Sequence, residues 1–118
     1  MHSYIEMLRY MRPDGHDCTK AFAERFLQPI FGDPDDYGNY TLIIGDKPNI
    51  SFMSHYDTVH SDGGFQTVSV DGDIVTSDAD CLGADCTTGI YIMLNMIEAR
   101  VPGVYVVHAA EEIGCLGS

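Results

Sequence analysis

Three short polar clusters carry the residue types that bind divalent metal ions. His55 and Asp57 follow one predicted strand, Asp85 precedes a predicted helix, and the adjacent Glu111 and Glu112 follow another predicted strand. Imidazole nitrogens and carboxylate oxygens are donors that suit zinc. The three clusters together therefore predict a metal site.

Each cluster also has a simpler structural interpretation when it is taken alone. His55 and Asp57 fit an ordinary surface pair, Asp85 fits a helix cap, and the two glutamates fit a solvated pair in a loop. The functional interpretation gives each residue a task. A carboxylate beside an imidazole fixes its tautomer, and helix N–H groups favour an anion at Asp85. Adjacent glutamates cannot share one direction, so one can bind a metal while the other moves a proton.

The elements around these clusters predict an α/β fold. Residues 49–54 and the apolar run 104–110 are predicted strands, and the run is continuous enough to predict a strand buried on both faces. Residues 87–100 are predicted as a helix, because apolar residues recur there at helical spacing. We therefore predict a three-layer α/β/α domain with a mixed sheet. In such sheets, ligands bind beyond the carboxyl ends of the strands.

Local signals place further helices and turns. Ser3 and Glu6 form a capping box that begins a first helix, and Asp17 caps a second helix that ends near Pro29. Residues 40–44 and 49–54 are predicted strands that pair as a hairpin. A second hairpin is predicted for residues 65–70 and 74–76, which flank an Asp-Gly turn signal.

Composition excludes several classes of protein. The chain has 118 residues, suited to one domain, with 18 acidic and 6 basic residues and a net charge of −12. Such a charge disfavours nucleic acids and anionic membrane surfaces as partners. No run approaches the roughly 20 apolar residues that cross a bilayer, and no signal peptide is visible. We expect a cytoplasmic protein with reduced thiols at its four cysteines, Cys18, Cys81, Cys86 and Cys115.

The order and the residue types of the three clusters resemble those of a known enzyme family. His55 begins an H-x-D-T-V segment, Asp85 ends a G-A-D segment that opens a helix, and Glu111 begins an E-E-x-G segment. These segments resemble the dinuclear zinc exopeptidases and deacylases that include aminoacylase, peptidase T and the carboxypeptidase-G type. The resemblance runs from about Tyr40 to the last residue.

The resemblance implies a role for each residue. His55 would bind one zinc, with Asp57 holding its imidazole, and Asp85 would bridge two zinc ions. Glu112 would bind the second zinc, and Glu111 would be the general base. The implied reaction is hydrolysis of an amide bond, in a peptide or an N-acyl amino acid, by a water that two metals activate.

Two departures from the family pattern matter. The residue after the bridging aspartate is usually Asp or Asn in the family, whereas here it is Cys86. A thiol at this position is inert, tunes the site or adds a soft donor. The family also uses a further acidic residue and a further histidine as ligands, later in its sequence than the E-E pair. His60, Asp62 and His108 do not occupy matching positions, and His108 is expected to be a hydrogen-bonded core histidine.

We therefore expect residues 1–118 to form a single, incomplete metallopeptidase catalytic domain with little activity by itself. The alternative is a non-catalytic metal-binding or assembly module. In that case the strand at residues 104–110 would lie at or near an exposed sheet edge, which promotes association with another chain or with the remaining part of the protein.

Overall fold

A computed structural model describes residues 4–115, so the predicted capping box at Ser3 lies outside the described residues. The helices are α1 (Tyr4–Leu8), α2 (Asp17–Phe22), a π-helical turn (Ala23–Leu27), α3 (Gln28–Phe31), α4 (Ala84–Glu98) and a 3-10 turn (Glu111–Ile113). The strands are β1 (Tyr10–Met11), β2 (Tyr40–Ile44), β3 (Ser51–His55), β4 (Gly64–Phe65), β5 (Val68–Asp71), β6 (Ile74–Ser77) and β7 (Gly103–His108). In this part of the chain, no helix has the length and apolar character to cross a bilayer.

The central sheet is mixed and has the strand order β2-β7-β3. Strand β7 runs antiparallel to β2, pairing Tyr40 with Val107, and parallel to β3, pairing His55 with His108. The α/β class with a mixed sheet is therefore confirmed. The predicted hairpin is wrong, because β2 and β3 do not pair with each other. The edge position that the alternative of an assembly module implied for residues 104–110 is also not observed, since β7 is the central strand of this sheet. The apolar composition of β7 suits a strand with a neighbour on each side.

Helix α4 covers one face of this sheet. The side chains that it buries are Ile90, Met93, Leu94 and Ile97. They belong to the same core as the alternate sheet residues Tyr40, Ile44, Tyr105 and Val107. The helix and its apolar face agree with the prediction from helical spacing. Because β3 and β7 are parallel, the chain between them must cross over the sheet, and α4 makes this crossover.

The opposite face of the sheet is largely open in the described chain. Ile43 and Met53 are 61% and 65% exposed, while Val104 and Val106 are half-buried. The prediction that residues 104–110 are buried on both faces is therefore wrong for this part of the chain, since burial along β7 alternates. The described residues supply two layers of the predicted three-layer arrangement.

The N-terminal segment differs from its prediction in detail. Met11 lies in strand β1 rather than in the first helix, and Asp17 is the first residue of α2, with His16 at the cap. Helix α3 runs to Phe31, so this helical segment ends near Pro29 as predicted. Pro29 lies in the first turn of α3, directly after the π-helical turn. The second predicted hairpin is confirmed as β5 paired with β6.

A fully buried arginine joins the N-terminal segment to the rest of the domain. The guanidinium of Arg12 donates hydrogen bonds to the carbonyl oxygens of Met7, Tyr10 and Tyr56, at 3.0, 3.1 and 2.6 Å. It also donates to the hydroxyl of Thr87 at the start of α4. Burial lowers the pKa of Arg12, and the negative charge of Asp57 opposes this shift. Arg12 thus connects α1 and β1 with the segment after β3 and with α4.

We predict that Arg12→Ala destabilises the protein strongly, because the change leaves three buried carbonyl groups without a donor. The expected loss is roughly 3 kcal/mol or more in the free energy of unfolding. Urea denaturation measures this loss. Arg9→Ala is the matched control, since Arg9 is exposed three residues earlier and its truncation should cost under about 0.5 kcal/mol. Similar losses in both variants would contradict the role given to Arg12.

Candidate metal centre

The three polar clusters of the sequence meet at a single point. The Nε2 atom of His55 lies 3.0 Å from Oδ1 of Asp85, 3.6 Å from Oε2 of Glu111 and 3.7 Å from Oε1 of Glu112. The three carboxylates are 30 to 57 positions from His55 in the chain, so the fold brings them to this histidine. In the described part of the chain, the ion pairs that reach these carboxylates all come from His55.

The topology of the sheet explains this meeting. His55 is the last residue of β3 and pairs in parallel register with His108, the last residue of β7. The carboxyl ends of these neighbouring strands therefore lie at the same edge of the sheet. After β7 the chain turns at Ala110, whose φ of 58° is in the left-handed region, and enters the 3-10 turn that carries both glutamates. Asp85 lies in the first turn of α4.

Asp57 contacts both His55 and the segment that carries the two glutamates. Its side chain is fully buried, and its two carboxylate oxygens accept hydrogen bonds from the backbone N–H groups of Glu111 and Glu112, at 3.1 and 2.9 Å. The same carboxylate lies 3.3 Å from Nδ1 of His55, and the carbonyl oxygen of Asp57 is 2.9 Å from that nitrogen. Burial raises the pKa of Asp57, but these hydrogen bonds outweigh it and lower the pKa overall.

This contact fixes the orientation of the imidazole. Because Nδ1 of His55 faces Asp57, Nε2 is the nitrogen directed at the three other carboxylates. Burial alone lowers the pKa of His55, but hydrogen bonds to Asp57 and Asp85 reverse the shift and raise the pKa to about 9. In the absence of an ion, a proton on His55 therefore supplies the positive charge that the carboxylates need. A divalent cation would compete for the same nitrogen.

Glu111 and Glu112 lie close enough for Glu111 to change the pKa of Glu112. A hydrogen bond with Glu111 is the main cause that raises the pKa of Glu112 to about 7, and burial and the charges of Glu111 and Asp85 add to it, while His55 opposes it. Carboxylates at this spacing repel one another unless a proton or a cation lies between them. A bound cation would lower the pKa of Glu112 again.

The donor atoms fit zinc. The ligand atoms of His55, Glu111 and Glu112 all lie within 4.8 Å of one another, and so do those of His55, Asp85 and Cys86. Nitrogen, carboxylate oxygen and thiolate sulfur are the three donor types that zinc binds in proteins. Every metal ligand predicted from the sequence belongs to one of these groups. Cys86, whose role the sequence leaves open, belongs to the group with Asp85.

The other histidines named from the sequence lie outside this centre. His60 belongs to a separate group with Asp80 and Cys81. Both of its ring nitrogens already face protein atoms, with Nδ1 at 2.6 Å from Oγ1 of Thr58 and Nε2 at 2.9 Å from the carbonyl oxygen of Cys81. His108 was expected to be a hydrogen-bonded core residue. Its buried Nδ1 has no hydrogen-bond partner among the described residues, so that expectation is wrong for this atom.

We predict that zinc binding requires His55. His55→Ala removes the nitrogen at which the carboxylates converge, so zinc affinity measured by calorimetry should fall at least about tenfold. His16→Ala is the matched control, because His16 is exposed and lies outside the metal-binding groups found in the described chain. Uptake of zinc by His55→Ala with the affinity of the parent protein would exclude this centre.

Comparisons with known proteins support the same fold. No protein-family model and no curated protein sequence matches this chain. The solved structure of aminoacylhistidine dipeptidase from Vibrio alginolyticus matches with a TM-score of 0.65 and 20% identity, over 97% of this chain and 28% of that chain. Aminopeptidase PepT from Bacillus cereus ATCC 10987 matches with a TM-score of 0.60 and 22% identity, over 97% and 36%. A tripeptidase from Staphylococcus aureus subsp. aureus Mu50 matches with a TM-score of 0.65 and 20% identity, over 95% and 36%.

This chain therefore spans only about a third of the length of these peptidases. At this level of identity the likeness concerns the fold. The described chain has the fold of part of a dipeptidase, an aminopeptidase and a tripeptidase.

Proposed function

We propose that this chain carries part of the zinc centre of a metallopeptidase that hydrolyses amide bonds in peptides or N-acyl amino acids. The observation that carries the proposal is the convergence of Asp85, Glu111 and Glu112 on Nε2 of the buried His55. The fold shared with three peptidases supports it. Because the chain spans about a third of their length, the substrate and the activity of the whole protein are part of the proposal.

The proposed roles are those that the family resemblance implies, and the exposure and position of the residues support them. His55 would hold one zinc ion through Nε2, and Asp85, which is exposed and lies 3.0 Å from this atom, would hold the same ion and share a second one. Glu112 would be a ligand of the second ion, and Glu111 would be the general base. The side chain of Glu112 is 17% exposed and that of Glu111 is 41% exposed, so Glu111 is the better placed to exchange protons with solvent.

The protein residues then have distinct chemical tasks. When bound, a pair of zinc ions supplies a water of lowered pKa and polarises the carbonyl group of the substrate. Glu111 accepts a proton from the attacking water and later returns it to the leaving amine. Asp57 keeps His55 in one tautomer and also fixes the backbone of Glu111 and Glu112, so the base and the ligands keep a constant spacing. The two further ligands that the family resemblance implies are proposed to come from outside these clusters.

A second candidate function is a non-catalytic assembly module. The open face of the central sheet favours it, since Ile43 and Met53 are exposed there and lie beside the half-buried Val104 and Val106. Exposed apolar surface of this kind is typical of a surface that another chain or another part of the same protein covers. Zinc-dependent peptidase activity of a longer form of the protein distinguishes the two functions, because an assembly module would have none.

We predict that the two glutamates respond differently to the same substitution. Glu112→Gln should lower zinc affinity at least about tenfold, because it removes a ligand. Glu111→Gln should retain zinc, while turnover in a form with the complete site should fall by about 10²–10⁴-fold, the usual loss with a general base. Zinc calorimetry and a dipeptide assay measure both effects. Each variant is the matched control for the other. Equal loss of zinc would refute the assignment, and a reversed pattern would exchange the two roles.

A further inference from the structure

Cys86 stands where the resembling family has an aspartate or an asparagine, and its sulfur lies beside the candidate metal centre. The ligand atoms of Cys86, Asp85 and His55 lie within 4.8 Å of one another. Three different donor types therefore meet at one point: an imidazole nitrogen, a carboxylate oxygen and a thiol sulfur. The group shares His55 with the one that the two glutamates form.

The local backbone sets the position of this thiol. Asp85 and Cys86 have non-helical dihedral angles within the first turn of α4, with φ of −90° and −115° and ψ of 107° and 38°. The sulfur then lies between α4 and β3. A Cβ atom added at Gly89 would lie 2.5 Å from Sγ of Cys86 and 2.6 Å from Oγ of Ser54, the residue before His55. The absence of a side chain at Gly89 therefore provides the space for the thiol.

The thiol of Cys86 has no hydrogen-bond partner among residues 4–115, although it is only partly exposed. By contrast, the thiol of Cys18 donates to the carbonyl oxygen of Met11 at 2.7 Å. The hydroxyl of Ser54 is also engaged, because it donates to Sδ of Met93 at 3.0 Å. The sulfur of Cys86 thus remains available as a donor in a group whose other members are a histidine and a carboxylate.

We propose that Cys86 is a metal ligand and binds, as a thiolate, the same ion as His55 and Asp85. This inference rests on the proposed function, in which the centre holds zinc. On binding, the thiol releases its proton to solvent and forms a sulfur–metal bond, without any change of oxidation state. His55, Asp85 and Cys86 would then be the ligands that this chain supplies to that ion.

A sulfur ligand has a consequence for metal selectivity. Thiolate favours zinc and other soft or borderline ions over magnesium and manganese, which prefer oxygen donors. We therefore expect the ratio of zinc or cobalt affinity to manganese affinity to be higher for the parent chain than for Cys86→Asp. Cys86→Asp introduces the residue type that the family pattern has at this position, so the comparison isolates the effect of the sulfur.

Cobalt(II) titration of the 118-residue chain tests the proposal, because a cobalt–thiolate bond produces a charge-transfer absorption band in the near ultraviolet. The parent protein and Cys18→Ser should both show this band, whereas Cys86→Ser should lose it and still show the visible bands of bound cobalt. Gly89→Ala should weaken the band, since its Cβ displaces the thiol. A band of full strength in Cys86→Ser would overturn the proposal.

The same titration separates this proposal from the proposed function. Bound cobalt without a sulfur band in the parent protein means that the centre exists and that Cys86 is not a ligand. No specific binding of cobalt or zinc means that the proposed function itself fails, and the assignment of Cys86 fails with it. If Cys86→Ser does not fold, as judged by circular dichroism, zinc X-ray absorption of the parent protein decides instead. One sulfur at about 2.3 Å supports the proposal, and a shell of nitrogen and oxygen alone overturns it.

Discussion

The buried carboxylate of Asp57 is the interaction on which the candidate centre depends. It receives the backbone N–H groups of Glu111 and Glu112 and contacts Nδ1 of His55, so one side chain joins the segment after β3 to the segment after β7. A buried charge without partners would be very costly, and here two N–H donors and an imidazole compensate it. Through these contacts, Asp57 holds the residues proposed to bind metal in fixed positions relative to the packed sheet. Arg12 strengthens the same region, because it binds the carbonyl oxygen of Tyr56 directly before Asp57.

Much of the candidate centre could be predicted from the sequence, because its residues follow short local patterns. An apolar strand that ends in a polar cluster predicts a residue at the edge of a sheet, and this holds for His55 after β3 and for Glu111 after β7. The apolar face of α4 was also predicted correctly, from apolar residues that recur at helical spacing. The pairing of His55 with Asp57 followed from their separation by two residues. The mixed α/β fold was predictable from the same elements, whereas the task of each ligand came from the family resemblance and stays a prediction.

The errors arose where the structure depends on contacts between distant residues. The turn after Ile44 predicted a hairpin of β2 with β3, but β7 lies between them. A local turn signal carries no information about a strand that begins only at Gly103. The apolar run 104–110 predicted burial on both faces, yet Ile43 and Met53 show that the described chain leaves one face open. The buried position of Arg12 had no signal in the sequence, because an arginine is normally exposed and its partners are backbone carbonyls of several segments.

The central claim is that an ion binds where the sheet end and the start of α4 bring His55, Asp85 and Glu112 together. Anomalous diffraction at the zinc absorption edge, from crystals of the protein grown with zinc, tests this claim most directly. We expect an anomalous peak at about 2.0–2.2 Å from Nε2 of His55 and within bonding distance of a carboxylate oxygen of Asp85. A peak at the group formed by His60, Asp80 and Cys81 instead, or at scattered surface carboxylates alone, would exclude an ion at His55.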